Sequence, residues 1–201
     1  MEVADANSNA QEGDASRSIF VYKEDVLRVY KYTSGSVIWR VISCYRSPGL
    51  HAIGVYRFGH WLMKKNFFLK ILLEPIHAIL YHRIRSKWGI EIDRAAEIGA
   101  GFYIGHHGGI AISGLAKIGR NVNLSQLVTI GLSGQGNRRG APVIGDNVYI
   151  APGAKVFGKI NVGNNVKIGA NAVVHKDVPH NAVVVLDPGF KIISFKGNRA
   201  V

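Results

Sequence analysis

The segment Gly105-His106-His107-Gly108-Gly109 sets two imidazoles among three glycines. Histidine is the side chain that ordinarily titrates nearest neutrality, so it can take a proton from a hydroxyl, a role worth about 10²–10⁴ in rate. Glycines on either side open backbone space around such a ring. His106 is therefore the candidate general base, and His107 is read as a surface side chain. A second segment, Gly131-Leu132-Ser133-Gly134-Gln135-Gly136-Asn137-Arg138-Arg139-Gly140-Ala141-Pro142, is glycine-rich and basic. Two readings of it stay open: an excursion that closes over a substrate, or a mobile loop with solvated charges.

What surrounds these segments is a repeat of six. Aliphatic residues stand at Ile92, Ile98 and Ile104, then at Ile112, Ile118, Leu124 and Ile130, then at Ile144, Ile150, Val156, Val162, Ile168 and Val174. Neither an α-helix nor an alternating strand gives that spacing; a parallel β-helix does, one flat face per hexad and three faces per coil. Gly119-Arg120-Asn121, Gly145-Asp146-Asn147, Gly163-Asn164-Asn165 and Gly169-Ala170-Asn171 fall between hexads, where left-handed backbone is needed and these residue types adopt it at least cost. Each inward aliphatic contributes about 1.5–3 kcal/mol on burial. The two chemically interesting segments are the two places where the register breaks.

The 201 residues carry a formal net charge of +12. That charge suits an anionic partner, yet no nucleic-acid-binding motif accompanies it, so no nucleic-acid partner is expected and a polyphosphate ligand fits better. Residues 1–18 are polar without an apolar run and read as a disordered tail, not a signal peptide. The one cysteine, Cys44, fits a reducing, cytoplasmic compartment. Residues 19–88 read as helical. Ile38, Val41 and Ile42 form one stripe that Pro48-Gly49 breaks, a second segment runs from His51 to about Lys65, and a third from Phe67 to Lys87 contains Lys70, Glu74 and Pro75, whose interruption of the apolar run argues against a membrane span. Basic residues gather there: Arg57, Lys64, Lys65, Lys70, Arg83, Arg85 and Lys87. A cap packed on the first coil is the preferred reading of this region, and peripheral contact with the inner face of an anionic membrane is the other. The coil is expected over 89–185 and a C-terminal tail over 186–201.

Gly89-Ile90-Glu91-Ile92-Asp93, Gly105-His106, the run from Ser125 to Gly131, Ile150-Ala151-Pro152-Gly153-Ala154 and Val174-His175-Lys176-Asp177-Val178-Pro179 together resemble the serine acetyltransferase family of hexapeptide-repeat acyltransferases. Tyr56-Arg57-Phe58-Gly59-His60-Trp61 is similar to that family's helical region. The resemblance implies an all-β, left-handed parallel β-helix with an N-terminal α-helical cap, assembled as a homotrimer and using acetyl-CoA as co-substrate. It assigns the catalytic base to His106, which would deprotonate an acceptor hydroxyl for direct attack on the thioester. The family's orienting carboxylate, fifteen residues earlier, falls on Glu91. Turns matching Gly131, Gly153 and Ala170 would hold the pantetheine arm by backbone groups, and Lys176 a CoA phosphate.

At the acceptor the chain departs from the family. An aspartate that holds the serine ammonium is replaced by Gly105, and the loop's Arg-His-Pro becomes Arg139-Gly140-Ala141-Pro142, leaving Arg139 as the substrate-binding match. A buried ammonium without its carboxylate is costly. The pattern looks closer to bacterial exopolysaccharide O-acetyltransferases of this family, and the C-terminus also lacks the isoleucine with which serine acetyltransferases engage cysteine synthase. The expected function is acetyl transfer to a sugar hydroxyl of a cell-surface polysaccharide precursor, with serine O-acetylation as the alternative. A metal enzyme resembling γ-carbonic anhydrases is more remote, because His106 and His175 belong to different coils and no metal ligand set is evident.

Overall fold

The computed structural model describes residues 18–186. Four helices precede the coil: α1 (Ser18–Tyr32), α2 (Val37–Arg46), α3 (Pro48–Met63) and α4 (Phe67–Trp88). Their boundaries follow local chemistry. Side-chain oxygens of Ser36, Ser47 and Asn66 accept the N–H groups of Trp39, Leu50 and Leu69 at the starts of α2, α3 and α4. Pro48 is the first residue of α3, where its missing N–H costs nothing, so Pro48-Gly49 both ends one helix and opens the next. Gly89, in left-handed backbone, closes α4 by donating to the Arg85 carbonyl. Pro75 sits inside α4 without ending it. No described helix is long and apolar enough to cross a membrane.

The remaining described chain winds through short parallel strands in three sheets. β1 (Ile90–Ile92), β4 (Ile110–Ile112), β7 (Thr129–Gly131), β10 (Lys155–Phe157) and β13 (Val173–Val174) form the first sheet. β2 (Glu97–Ile98), β5 (Lys117–Ile118), β8 (Val143–Ile144) and β11 (Asn161–Val162) form the second. β3 (Tyr103–Ile104), β6 (Asn123–Leu124), β9 (Tyr149–Ile150), β12 (Lys167–Ile168) and β14 (Val183–Val184) form the third. Register stacks like on like: Ile92 on Ile112 on Ile130 on Val156 on Val174. All the lead aliphatics are buried, so the hexad reading of the core holds.

The corners between the second and third sheets are tied coil to coil. The N–H of Arg120 donates to Asp146 Oδ1 at 2.6 Å, that of Asp146 to Asn164 Oδ1 at 2.8 Å, and that of Asn164 to His180 Nδ1 at 2.8 Å. One residue on, Asn147, Asn165 and Asn181 hold φ near +60° and link through side-chain amides at 3.2 and 3.1 Å. Asparagine serves there twice, tolerating left-handed backbone and bonding its neighbour above.

The cap meets the coil chiefly through α3. Arg57 is buried, not part of a basic surface: its Nε pairs with Asp25 Oδ2 of α1 at 3.0 Å, and its Nη atoms donate to the carbonyls of Ile98 and Gly99. Asp25 Oδ1 accepts the Phe102 N–H at 2.8 Å. Burial pushes the Asp25 carboxyl up, while Arg57 and the N–H donors oppose the shift. Tyr56 Oη donates to the Ala96 carbonyl at 2.7 Å, and His60 Nδ1 lies 2.8 Å from the Arg94 carbonyl. The motif Tyr56-Arg57…His60 thus docks a helix onto the first coil's turn carbonyls. Gly59 allows α4 to close on α3, because a Cβ there would collide with His77 Nε2. The α2 stripe does not pack inward: no α2 residue is buried, and Ile38 is 73% exposed.

Candidate active site

His106 lies at the corner where the chain leaves β3 of the third sheet for β4 of the first, in an exposed turn two residues longer than its counterparts. Left-handed Gly108 and Gly109 make that turn possible. Its ends are fixed to the next coil: the Gly105 N–H donates to the Leu124 carbonyl at 3.0 Å, and the Gly108 carbonyl accepts the Leu127 N–H at 2.8 Å. The His106 ring is thus presented at the surface by a pinned backbone. Gly105 stands beside Tyr103, whose ring carbon would be 3.3 Å from a Cβ at position 105. Tyr103 in turn packs on Tyr32 of α1, with ring centroids 5.6 Å apart.

Glu91 is on β1, facing outward opposite Ala111 of β4. It makes no contact with His106 in this structure. Its carboxylate pairs with Arg85 Nη2 of α4 at 3.2 Å, and among the described residues no contact joins it to either imidazole of the turn. A glutamate's extra methylene favours this outcome, since it carries the carboxylate to the helix end. Glu91 borders two adjoining hollows on the first sheet. One, about 580 Å³, lies between α4 and the sheet, lined by His82, Arg85, Ser86, Gly89 and Gly109 among others. The other, about 270 Å³, runs past Asp93, Ser113 and Thr129 to Gly131.

The remaining expected residues divide between the two corners that flank this sheet. Gly131 ends β7 with space above it, since a Cβ there meets nothing nearer than 3.6 Å. Gly153 is explained by its turn: φ is +76°, a Cβ would collide with Asn171, and its N–H already donates to the Gln126 carbonyl at 3.0 Å. Its amide therefore cannot be offered to pantetheine. Ala170 is exposed, and its amide has no protein partner among the described residues. Lys176 is exposed at the opposite corner, beside His175, whose ring stacks on Phe157.

The glycine-rich segment is a folded excursion at that same corner. Ser133 and Gly140 exchange two backbone hydrogen bonds of 3.0 Å around a 3₁₀ turn, Gly136–Arg138, and Arg139 is exposed just beyond it. His106 and His175 occupy different corners, and among the described residues no three His, Cys, Asp or Glu side chains gather to hold a metal. Sequence reasoning passed over two residues, Asp25 and Arg85. Asp25, one of two adjacent acids in α1, gave no signal, and Arg85 looked like one more basic surface residue.

The bacterial transferase hexapeptide (six repeats) family profile matches residues 141–178. A serine acetyltransferase of Mycobacterium tuberculosis is 42% identical over 149 residues, which is 74% of this chain and 62% of that protein. One from Helicobacter pylori is 40% identical over 147 residues, 73% of this chain and 81% of that protein. Among solved structures, Neisseria gonorrhoeae serine acetyltransferase in complex with serine superposes with a TM-score of 0.71 at 29% identity, covering 90% of this chain and 71% of that one. The chain spans only 62% of the length of the M. tuberculosis and Synechococcus elongatus relatives. These likenesses and the parallel coil make the fold a left-handed β-helix with a helical cap.

Proposed function

This chain belongs to the serine acetyltransferase family of hexapeptide-repeat acyltransferases, and we propose that it transfers the acetyl group of acetyl-CoA to an acceptor hydroxyl, L-serine first, with His106 as general base. The observation that carries the reading is the His106 turn, an exposed imidazole on a pinned, glycine-built backbone beside an open sheet face. The imidazole takes the hydroxyl proton as the oxygen attacks the thioester carbonyl. The tetrahedral intermediate then expels the CoA thiolate, which recovers the proton from the imidazolium. Gly131 and Ala170 would hold the pantetheine arm at the edges of that face and Lys176 a phosphate, with a homotrimer bringing a second subunit against the groove. Arg139 would reach the acceptor from the excursion.

A sugar hydroxyl, as in a polysaccharide precursor, is the second reading, and Gly105 is what favours it. Among the described residues no carboxylate contacts His106, and a side chain at position 105 would press on Tyr103. The relatives named above support serine instead. Thiol release from acetyl-CoA, measured with serine and with a panel of sugars and nucleotide sugars, separates the two. His106→Ala should lower turnover by about 10²–10⁴ with CoA affinity nearly intact. Near-parental turnover in that variant would remove the mechanism.

A further inference from the structure

Two helices of the cap turn apolar residues outward, and the acetyl-transfer scheme above uses neither surface. In α2, Ile38, Val41, Ile42 and Tyr45 recur at helical spacing as one stripe, and all four are exposed. The less exposed flank carries Arg40, Ser43 and Cys44. That is the reverse of how an amphipathic helix packs on a protein core. α4 shows the same division. It buries His77 and Ile84 on one side and leaves Phe68, Leu72, Ile76 and Ile79 exposed along the other. Each exposed side chain forgoes the gain of leaving water.

The two helices meet at their C-terminal ends. Tyr45 of α2 stands edge-on to His51, with centroids 6.0 Å apart, and His51 stacks on Trp88, the last residue of α4, at 5.5 Å. Charge around them has one sign. Between Ser34 and Gly89 the only acid is Glu74, and it is paired with Arg94 at 2.5 Å. Exposed cations stand at both ends of α4: Lys64 just before it, and Arg83 and Lys87 in its last turns. Lys65 Nζ lies 4.8 Å over the Trp61 ring and Lys87 Nζ 5.2 Å over that of Trp88. Indole rings with a cation beside them suit the border between an apolar and an aqueous phase.

Together the stripes and the charge select the occupant. A second copy of this face would set unopposed cations against unopposed cations, and like-charge juxtaposition is costly. An anionic lipid surface satisfies both features, because its acyl boundary takes the stripes and its headgroup phosphates take the cations. No described helix is long and apolar enough to cross a membrane, so the contact is lateral. We propose that α2 and α4 form a docking face for an anionic phospholipid bilayer. Ile38, Ile42, Phe68 and Leu72 enter the headgroup boundary, and Arg83 and Lys87 meet the phosphates. The proposal is independent of the acetyl-transfer reading and of which acceptor the site takes.

The test is co-sedimentation of the full chain with phosphatidylcholine vesicles and with vesicles holding about one part in four of phosphatidylglycerol. Expected is binding to the second kind alone, strong at about 0.1 M salt and weakened at about 0.5 M. Two paired variants, Ile38→Ser with Ile42→Ser and Phe68→Ser with Leu72→Ser, should each weaken it by at least about tenfold. Arg83→Gln with Lys87→Gln should weaken it by about tenfold. All six changes fall on exposed side chains, so circular dichroism and the thermal midpoint should stay close to the parent's. Lipids brominated on the acyl chain should quench tryptophan fluorescence, and Trp39→Phe should remove part of the quenching. Equal binding to both vesicles, or none to either, overturns the proposal. Anionic-vesicle binding that survives both serine pairs also overturns it, since the net charge alone would then explain the attraction. Serine pairs that change the sedimentation of the lipid-free protein and leave vesicle binding intact would assign the face to a second copy, and overturn it as well.

Discussion

Within the coil every contact has copies. Ile112 is stacked between Ile92 and Ile130 as Ile130 is between Ile112 and Val156, and the asparagine side chains repeat one bond from turn to turn. The cap is joined differently. Arg57 binds α1 through Asp25 and the first coil through two carbonyls, and nothing duplicates that junction among the described residues. A repeat distributes its stability over near-equivalent neighbours. A single buried junction concentrates it, and with it the placement of α4, whose Arg85 holds the outward carboxylate of the first sheet.

The largest effect is therefore expected at the junction. Asp25→Ala leaves a guanidinium buried without its counter-ion, a change that costs about 3–5 kcal/mol. Denaturant unfolding gives the magnitude, and hydrogen exchange should show protection lost in α1 and α3 while the coil stays protected. Loss spread evenly over both regions would refute the contrast.

Next comes the coil's own core. Ile130→Ala removes a fully buried side chain in the middle of the first sheet and should cost about 2–5 kcal/mol. Here exchange should rise in strands on both sides of β7, because stacked coils share the cavity. The same loss confined to one coil would show that the repeat is less cooperative than its register suggests.

Smallest is the corner ladder. Asn165→Ala removes two amide hydrogen bonds and forces alanine to φ +58°, together about 1–3 kcal/mol. Asn165→Gly should recover the backbone share and leave only the hydrogen-bond loss. Equal midpoints for the two variants would assign the whole effect to the amide bonds.

Much of the coil was legible because inward aliphatics at six-residue spacing have few other uses, and the Asn-rich corners announce their left-handed backbone. The same legibility placed His106, since its turn is conspicuous as a fault in the repeat. The cap was readable only as helical. Its stripe at Ile38, Val41 and Ile42 promised burial but faces outward, and Arg57, counted among surface cations, is the most deeply held of them. Gly153 was assigned a ligand role, and the structure shows a turn that needs glycine there and engages its amide with the Gln126 carbonyl.

The sequence by itself determined the coil and the place of its fault, because both follow from residues a few positions apart, where local backbone preference and side-chain periodicity suffice. Only the tertiary structure decided which charge meets which. Asp25 finds Arg57 across 32 positions, and Glu91 pairs with Arg85. Such pairings follow from how α1, α3 and α4 pack on the first coil, and no local pattern encodes a distance between elements that meet only after folding.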